Sequence, residues 1–329
     1  MKFLSLDRQA MAQALSMSEA IEALRWALAP AMSDGMQVPA RTIMTLGSGA
    51  DNNQVLVMPA ALPEAQTVAV KISTITPNNP SNGRPLIHAV VILLNSGTGE
   101  ILALMEGAHL TALRTGAMAG LATDLLARPE SRVLAVIGAG VQARSQIEAV
   151  CAVRPIEHVL IYSKTPDKVQ ALAAWVSASG LCPQVTISDS VAQAVRPADI
   201  ICTATSTASA DPLVRAADVR SGTHINAIGG VDEIACEIDP LLLGQAAVYV
   251  EERDAALREA GELIQSLRLG VLMSGDVQEI ASLLSQPHRP LSTGNSLFKS
   301  VGTAFQDVAV AAALLHSAQA RGLGADVTL

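Results

Sequence analysis

The sequence predicts an α/β protein: a doubly wound parallel sheet joined to an α+β domain that the last helix completes. Three observations lead there. After about residue 130, apolar runs of strand length alternate with helical segments; from Arg41 to about Met105, short β-branched or apolar runs follow one another; and a glycine-rich turn occupies 138–143, between a strand and a helix. Alternating strands and helices require parallel strands covered on both faces, whereas consecutive strands pair in antiparallel fashion.

Bulk properties narrow the function. With 329 residues and 50% hydrophobic content the chain can build two cores. Its net charge is −8 with no basic run, and aromatics make up 2%. The phosphate-neutralising and base-stacking features of nucleic-acid binders are therefore missing. No uncharged apolar run approaches the roughly 18 residues of a membrane span, and in "MKFLSLDRQAMAQAL" Asp7 and Arg8 interrupt any signal-like stretch. Cys151, Cys182, Cys202 and Cys236 are far apart, which suits reduced thiols in a cytoplasmic protein. The six scattered histidines show no metal-ligand spacing, so no metal is expected.

Element by element, "SMSEAIEALRWALAPAM" has Ser18 as an N-cap and apolar residues at helical spacing through Ile21, Leu24, Trp26 and Leu28. "RTIMTL", "QVLVMPA", "TVAVKIS" and "HAVVILLN", with "NSGTGE" turning into "ILALM", form an antiparallel sheet. "HLTALRTGAMAGLATDLLA" is a long helix. Strands follow at "RVLAVIG", "HVLIYS", "QVTIS", "ADIICTA", "THINAIG" and "AAVYVE". "NSLFKSVGTAFQDVAVAAALLHSAQARG" reads as helix and packs back on the first domain. The predicted domains are 1–120, 121–305 and the returning helix 306–329, with the boundary inside the helix near 110–128.

The turn identifies a ligand class. Gly138-Ala139-Gly140-Val141-Gln142-Ala143 follows an apolar strand and opens a helix. Gly138 makes the tight turn, Gly140 lets the backbone approach a pyrophosphate, and Ala143 permits close helix packing; the helix start supplies free N–H groups and a positive dipole end. This is the Rossmann arrangement for a dinucleotide. Val141 and Gln142 then face the phosphates. The other strand ends that border such a cofactor are Thr203-Ala204-Thr205 after "ADIICTA" and Ile228-Gly229 in "THINAIGG". At the end of the next strand, an acid would accept from the ribose hydroxyls of NAD. This chain has Ser163, Lys164 and Thr165 there. Hydroxyls with a cation suit a 2′-phosphate, which favours NADP(H), with NAD(H) the alternative.

Three cations sit in apolar settings: Arg41 at the head of a strand, Lys71 at the end of "VAVK", and Arg114 inside "LTALRTGAMAGLA". Converging on one cleft they form a carboxylate receptor; dispersed, they are separate structural ion pairs. Local sequence leaves both open. "VPAR", "VAVKISTITPNNPSNGRP", "GEILALMEGAHLTALRTGA", "IGAGVQA" and "LFKSVGTAFQDVAVA", in this order and spacing from about residue 38 to 315, resemble the ornithine cyclodeaminase/mu-crystallin family. The resemblance implies a homodimer with an amino-terminal substrate-binding and dimerisation domain, an NAD(P)(H)-binding Rossmann domain and a last helix returning to the first domain. It also implies that Arg41, Lys71 and Arg114 hold the substrate carboxylate, and that Thr115 contacts the cofactor phosphates.

The family's implied chemistry is hydride transfer at the α-carbon of an amino acid, with members differing in the fate of the imine. Cyclodeaminases resemble one another where two small residues are followed by Asp and then Pro-Gly-Lys, the Asp holding the substrate amine. Here Val231 stands at that place, Asp232 one residue later, and Glu233-Ile234-Ala235 replace Pro-Gly-Lys. Just beyond two glycines the backbone need not stay extended, so Asp232 is retained as a catalytic candidate. Glu233, Glu237 and Asp239 read as solvated or capping residues. The expectation is an oxidoreductase acting on an amino acid or cyclic imino acid, a dehydrogenase or ketimine reductase in which Lys71 manages the proton, with cyclodeaminase or a non-catalytic NADPH-binding protein as the other readings. Asp51, close in sequence to Arg41, points to a basic amino acid such as arginine.

Overall fold

The computed structural model of the chain describes residues 2–29, 35–47, 52–230, 232–285 and 293–328. Asp51 and Val231 lie outside the described residues. Backbone contacts divide the chain into two compact units, Met1–Arg114 with Thr303–Leu329, and Thr115–Gly302. The divisions fall inside the helix Gly107–Leu126 and just before the helix Ala304–Arg321, at 114/115 and 302/303 rather than at 120/121 and 305/306.

In the first unit, the described residues form a sheet from β1 (Lys2–Leu6), β2 (Thr42–Leu46), β3 (Asn53–Leu62), β4 (Thr67–Ile75), β5 (Ile87–Asn95), β6 (Ile101–Glu106) and the C-terminal strand Ala325–Thr328. The order across the sheet is C-terminal strand, β1, β6, β5, β4, β3, β2. Pairing is antiparallel except between β1 and β6, which run parallel. β1 and the C-terminal strand extend the expected sheet on one side. Both are short, and their partners lie far away in sequence, β6 and the C-terminal strand for β1.

Period-two burial decides what β4 presents inward. Thr67, Ala69, Lys71 and Ser73 are buried, and the residues between them are less so. Register places Met58 of β3 and Val91 of β5 on either side of Lys71, and Met105 of β6 beyond Val91. A lysine thus sits in an otherwise apolar row. The helix Ala304–Arg321 packs on β3 and β4 and buries Phe305, Val308 and Leu315 along with its first-turn Asp307. The helix Met17–Leu28 is capped by Ser16, not Ser18: Ser16 accepts from the Glu19 amide while the Glu19 carboxylate accepts from the Ser16 amide. Only the Ser16–Glu19 spacing closes this reciprocal box. Trp26 stays 44% exposed and leaves the apolar face to Ala20, Ile21, Leu24, Ala27 and Leu28.

The second unit carries β7 (Val133–Ile137), β8 (His158–Tyr162), β9 (Gln184–Ile187), β10 (Ile200–Thr203), β11 (His224–Ala227), β12 (Ala246–Val250), β13 (Val277–Glu279) and β14 (Asn295–Lys299). Their order is β13-β12-β14-β11-β10-β7-β8-β9, and every recorded pair is parallel. Both faces are covered. Leu134 and Val136 enter one apolar core while Ala135 and Ile137 enter the other. β14 corrects the helical reading of "NSLFKS": these residues form a central strand between β11 and β12, and the helix begins only at Ala304. A short run buried almost throughout carries no periodicity that separates strand from helix. Among the described residues no helix is long and apolar enough to cross a membrane.

Candidate active site

In the first unit, the sheet and two helices bring charge together. Lys71 is 3% exposed, and its Nζ lies 2.7 Å from Oδ2 of Asp307. Arg114, buried on the helix Gly107–Leu126, places Nε 3.2 Å from Oδ1 of the same carboxylate and donates from Nη1 to Oε1 of Gln306. Burial pushes the Lys71 ammonium down to about 8; Asp307 opposes the shift, while Arg114 and Arg41 add to it. Arg41 therefore acts on the same cluster electrostatically. Lys71 and Arg114 share one buried carboxylate, and Arg41 adds positive field at Lys71, an arrangement that suits a carboxylate-bearing ligand.

Asp307 and Gln306 were not among the residues singled out from sequence. Their signal was present: an acid and an amide in the first turn of an Ala-rich helix whose buried stripe is otherwise apolar. What sequence could not show was which cations they meet.

In the second unit, the turn after β7 has the geometry a pyrophosphate requires. Gly138 has φ 112°, and a Cβ there would lie 2.3 Å from the Ala204 carbonyl oxygen. No other residue fits. A Cβ on Gly140 would meet nothing within 4 Å, so the space over the turn is open to a ligand. The helix Val141–Val153 starts there without a side-chain cap. Its first N–H groups are thus left for an anion. Val141 is exposed, Gln142 is half-buried and receives a hydrogen bond from Ser145, and Ala143 is buried in the core beneath. At the end of β8, Ser163 is half-buried and Lys164 and Thr165 are exposed, with Thr165 N donating to Ser163 Oγ. Thr115 is buried next to Arg114 on their common helix.

Behind the other strand ends lies a carboxylate. Glu237 is fully buried, which corrects its reading as a solvated residue. It accepts from Thr203 Oγ1 at 2.7 Å, Thr205 N at 2.8 Å, Thr205 Oγ1 at 2.7 Å and Gly229 N at 2.8 Å. The hydroxyls of Thr203 and Thr205 are therefore engaged inside the protein, beside the half-buried Ala204. On its other side the double-glycine turn is held by Lys299, which donates to the carbonyls of Gly229 and Gly230 and pairs with buried Glu262 at 3.1 Å. Burial pushes the Glu262 carboxyl up, against the attraction of Lys299. Gly229 has no room for a side chain, because a Cβ would lie 2.2 Å from the Thr205 carbonyl oxygen. Ile228 is buried under it.

Asp232 is exposed, and its Oδ1 accepts from the amides of Ile234 at 2.7 Å and Ala235 at 3.3 Å. One oxygen of the carboxylate is thus committed to its own turn. Asp239 caps a helix through Leu241 N, as expected of it.

Residues 3–322 match the model of the ornithine cyclodeaminase/mu-crystallin family. The chain is 34% identical over 314 residues to a Delta(1)-pyrroline-2-carboxylate reductase of Bacillus cereus, covering 94% of this chain and 95% of that protein. It is similar to the structure of the Thermococcus litoralis Delta(1)-pyrroline-2-carboxylate reductase in complex with NADH and L-proline, with TM-score 0.91, 34% identity and coverage of 99% of this chain and 100% of that one. An archaeal alanine dehydrogenase dimer with bound NAD aligns over 100% of both chains, with TM-score 0.89 and 30% identity. The chain belongs to the ornithine cyclodeaminase/mu-crystallin family.

Proposed function

We propose that this protein is a nicotinamide-dependent oxidoreductase that reduces a cyclic α-imino acid, of the pyrroline-2-carboxylate class, to the saturated amino acid. The observation that carries the reading is the buried cluster in which Lys71 and Arg114 share Asp307 under the field of Arg41. Arg41 and Arg114 bind the substrate carboxylate. Lys71 protonates the imine nitrogen, which makes the adjacent carbon an acceptor for hydride. Gly140 and the uncapped start of the helix Val141–Val153 would hold a dinucleotide pyrophosphate. When bound, the reduced nicotinamide supplies the hydride. Full-length similarity to pyrroline-2-carboxylate reductases supports the substrate class.

Two finer points belong to the same proposal. NADP(H) is the preferred cofactor, because Ser163, Lys164 and Thr165 end β8 without an acid. The protein is a homodimer, because β2 is an edge strand exposed along its whole length with apolar Ile43, Met44 and Leu46 outward. Four free thiols, far apart in sequence, support a reducing, cytoplasmic setting.

The test is a panel of five- and six-membered cyclic imino acids with NADPH and NADH, beside amino acids (including arginine and ornithine) with NADP+ and NAD+. Reduction of a cyclic imine is expected. Proline and ammonia from ornithine without net cofactor change would instead establish cyclodeaminase chemistry. The exposed, turn-bound Asp232 argues against that outcome.

A further inference from the structure

The buried face of β4 leaves the Lys71 ammonium few ways to be stabilised. Its neighbours in register, Met58 and Val91, are aliphatic. Charge reaches it from three other segments: Asp307 from the C-terminal helix, Arg114 from the helix Gly107–Leu126, and Arg41 just ahead of β2. Only Asp307 is negative. It is fully buried in the first turn of an 18-residue helix, where the aligned peptide dipoles favour negative charge. Its oxygens divide the work. Oδ2 faces Lys71, and Oδ1 faces the Arg114 Nε.

We propose that Asp307 is a positioning residue of the reaction, aiming the Lys71 ammonium and the Arg114 fork from one carboxylate and keeping Lys71 charged until its proton passes to the imine nitrogen. The role rests on the imine-reductase reading above. In the step, an N–H bond of Lys71 breaks with its electron pair remaining on Nζ, and an N–H bond forms at the imine nitrogen. The imine carbon would take both electrons as hydride, which a bound reduced nicotinamide would supply. Once the saturated amino acid is released, Lys71 would regain a proton from water. Without Asp307, the ammonium would lie buried beside two guanidiniums; buried lysines of that kind titrate near 5 or 6.

Asp307→Asn keeps the shape and removes the charge. The parent's kcat/KM for imine reduction is expected to fall above pH about 8. In the variant that limb should move down by about one to two pH units, with the rate recovering toward the parent's on the acid side. A loss of equal factor at every pH, with the limb still near 8, would show Asp307 to be merely structural and would overturn the proposal. A second readout needs no turnover: the 15Nζ resonance of Lys71, assigned by its disappearance in Lys71→Met, titrated in both proteins. An unchanged midpoint in Asp307→Asn rejects the role of Asp307; a parent inactive on every cyclic imine rejects the substrate reading instead. If Asp307→Asn does not fold, the parent decides alone. A Lys71 midpoint near 8 supports charge retention by Asp307, and one at 6 or below overturns it.

Discussion

The Nζ of Lys71, on the buried face of β4, lies 2.7 Å from Oδ2 of Asp307 in the first turn of the C-terminal helix. The contact joins an ammonium that burial drives toward neutrality to the carboxylate that opposes this, and the balance leaves it titrating at about 8. With Lys71 as the proposed proton donor, imine reduction is expected to slow as pH rises through about 8, and oxidation of the amine, which would need the neutral form, to speed up there. Lys71→Met should lower turnover by roughly 10²–10⁴-fold while the affinity for nicotinamide cofactor, titrated by fluorescence, changes little. Undiminished turnover in this variant would rule out proton delivery by Lys71.

That contact also marks where sequence reading stops. The turn at Gly138 and Gly140 was legible because strand, glycines and helix are contiguous, and the mechanism depends on that order. Lys71 and Arg114 stood out as cations in apolar runs. Asp307 did not, since nothing local tells which sheet its helix will cover. Glu237 and Lys299 are the same case: each is an ordinary charged residue until the fold brings it under the Gly229-Gly230 turn. The strand Asn295–Lys299 was misread because five residues, the last four of them buried in succession, show neither period.

The proposed cofactor preference is tested at one exposed side chain, Lys164. Ser163 and Thr165 flank Lys164 after β8, and in the proposed NADP(H) preference Lys164 would meet the 2′-phosphate. Lys164→Asp should weaken NADPH binding by about tenfold or more and leave NADH binding within a few fold, because an acid repels the phosphate and accepts from a ribose hydroxyl. Dissociation constants for both cofactors check this. A parent that binds NADH as well as NADPH removes the preference.

The edge strand β2 exposes Ile43 at 53%, Met44 at 48% and Leu46 at 53%. An apolar edge of this kind, with no further strand beside it among the described residues, is where the proposed second copy would pair. Light scattering on a sizing column should give twice the 34.0 kDa chain mass, and Ile43→Lys with Met44→Glu should shift the protein toward monomer. Monomeric parent protein at micromolar concentration is the outcome that contradicts the dimer.

Glu237 is the brace behind both strand ends, accepting four hydrogen bonds from Thr203, Thr205 and Gly229. Glu237→Gln turns one acceptor oxygen into a donor that faces other donors. The expected cost is about 2–3 kcal/mol of stability, read by urea unfolding, together with weaker dinucleotide binding as the Gly229 turn loosens. Unchanged stability would mean that the four bonds contribute nothing net.

His224 carries a separate pH dependence in the second unit. Its ring lies in a buried chain in which Nδ1 faces Ser296 Oγ at 3.0 Å and Nε2 faces Asn226 Oδ1 at 3.2 Å, while Asn226 donates onward to Thr123. Burial drives its pKa down to about 3, with the hydrogen bond that the ring donates to Asn226 Oδ1 opposing and Arg154 assisting. The folded state therefore keeps the ring neutral, whereas the unfolded chain protonates it near 6.5. Stability is intact above about 6.5 and is lost as pH falls from there toward 3, since only the unfolded state takes up the proton. Between pH 7 and 4.5, the parent should lose about 2–3 kcal/mol more than His224→Gln does. Urea midpoints of both proteins at the two pH values measure the difference, and parallel losses would place the acid sensitivity elsewhere.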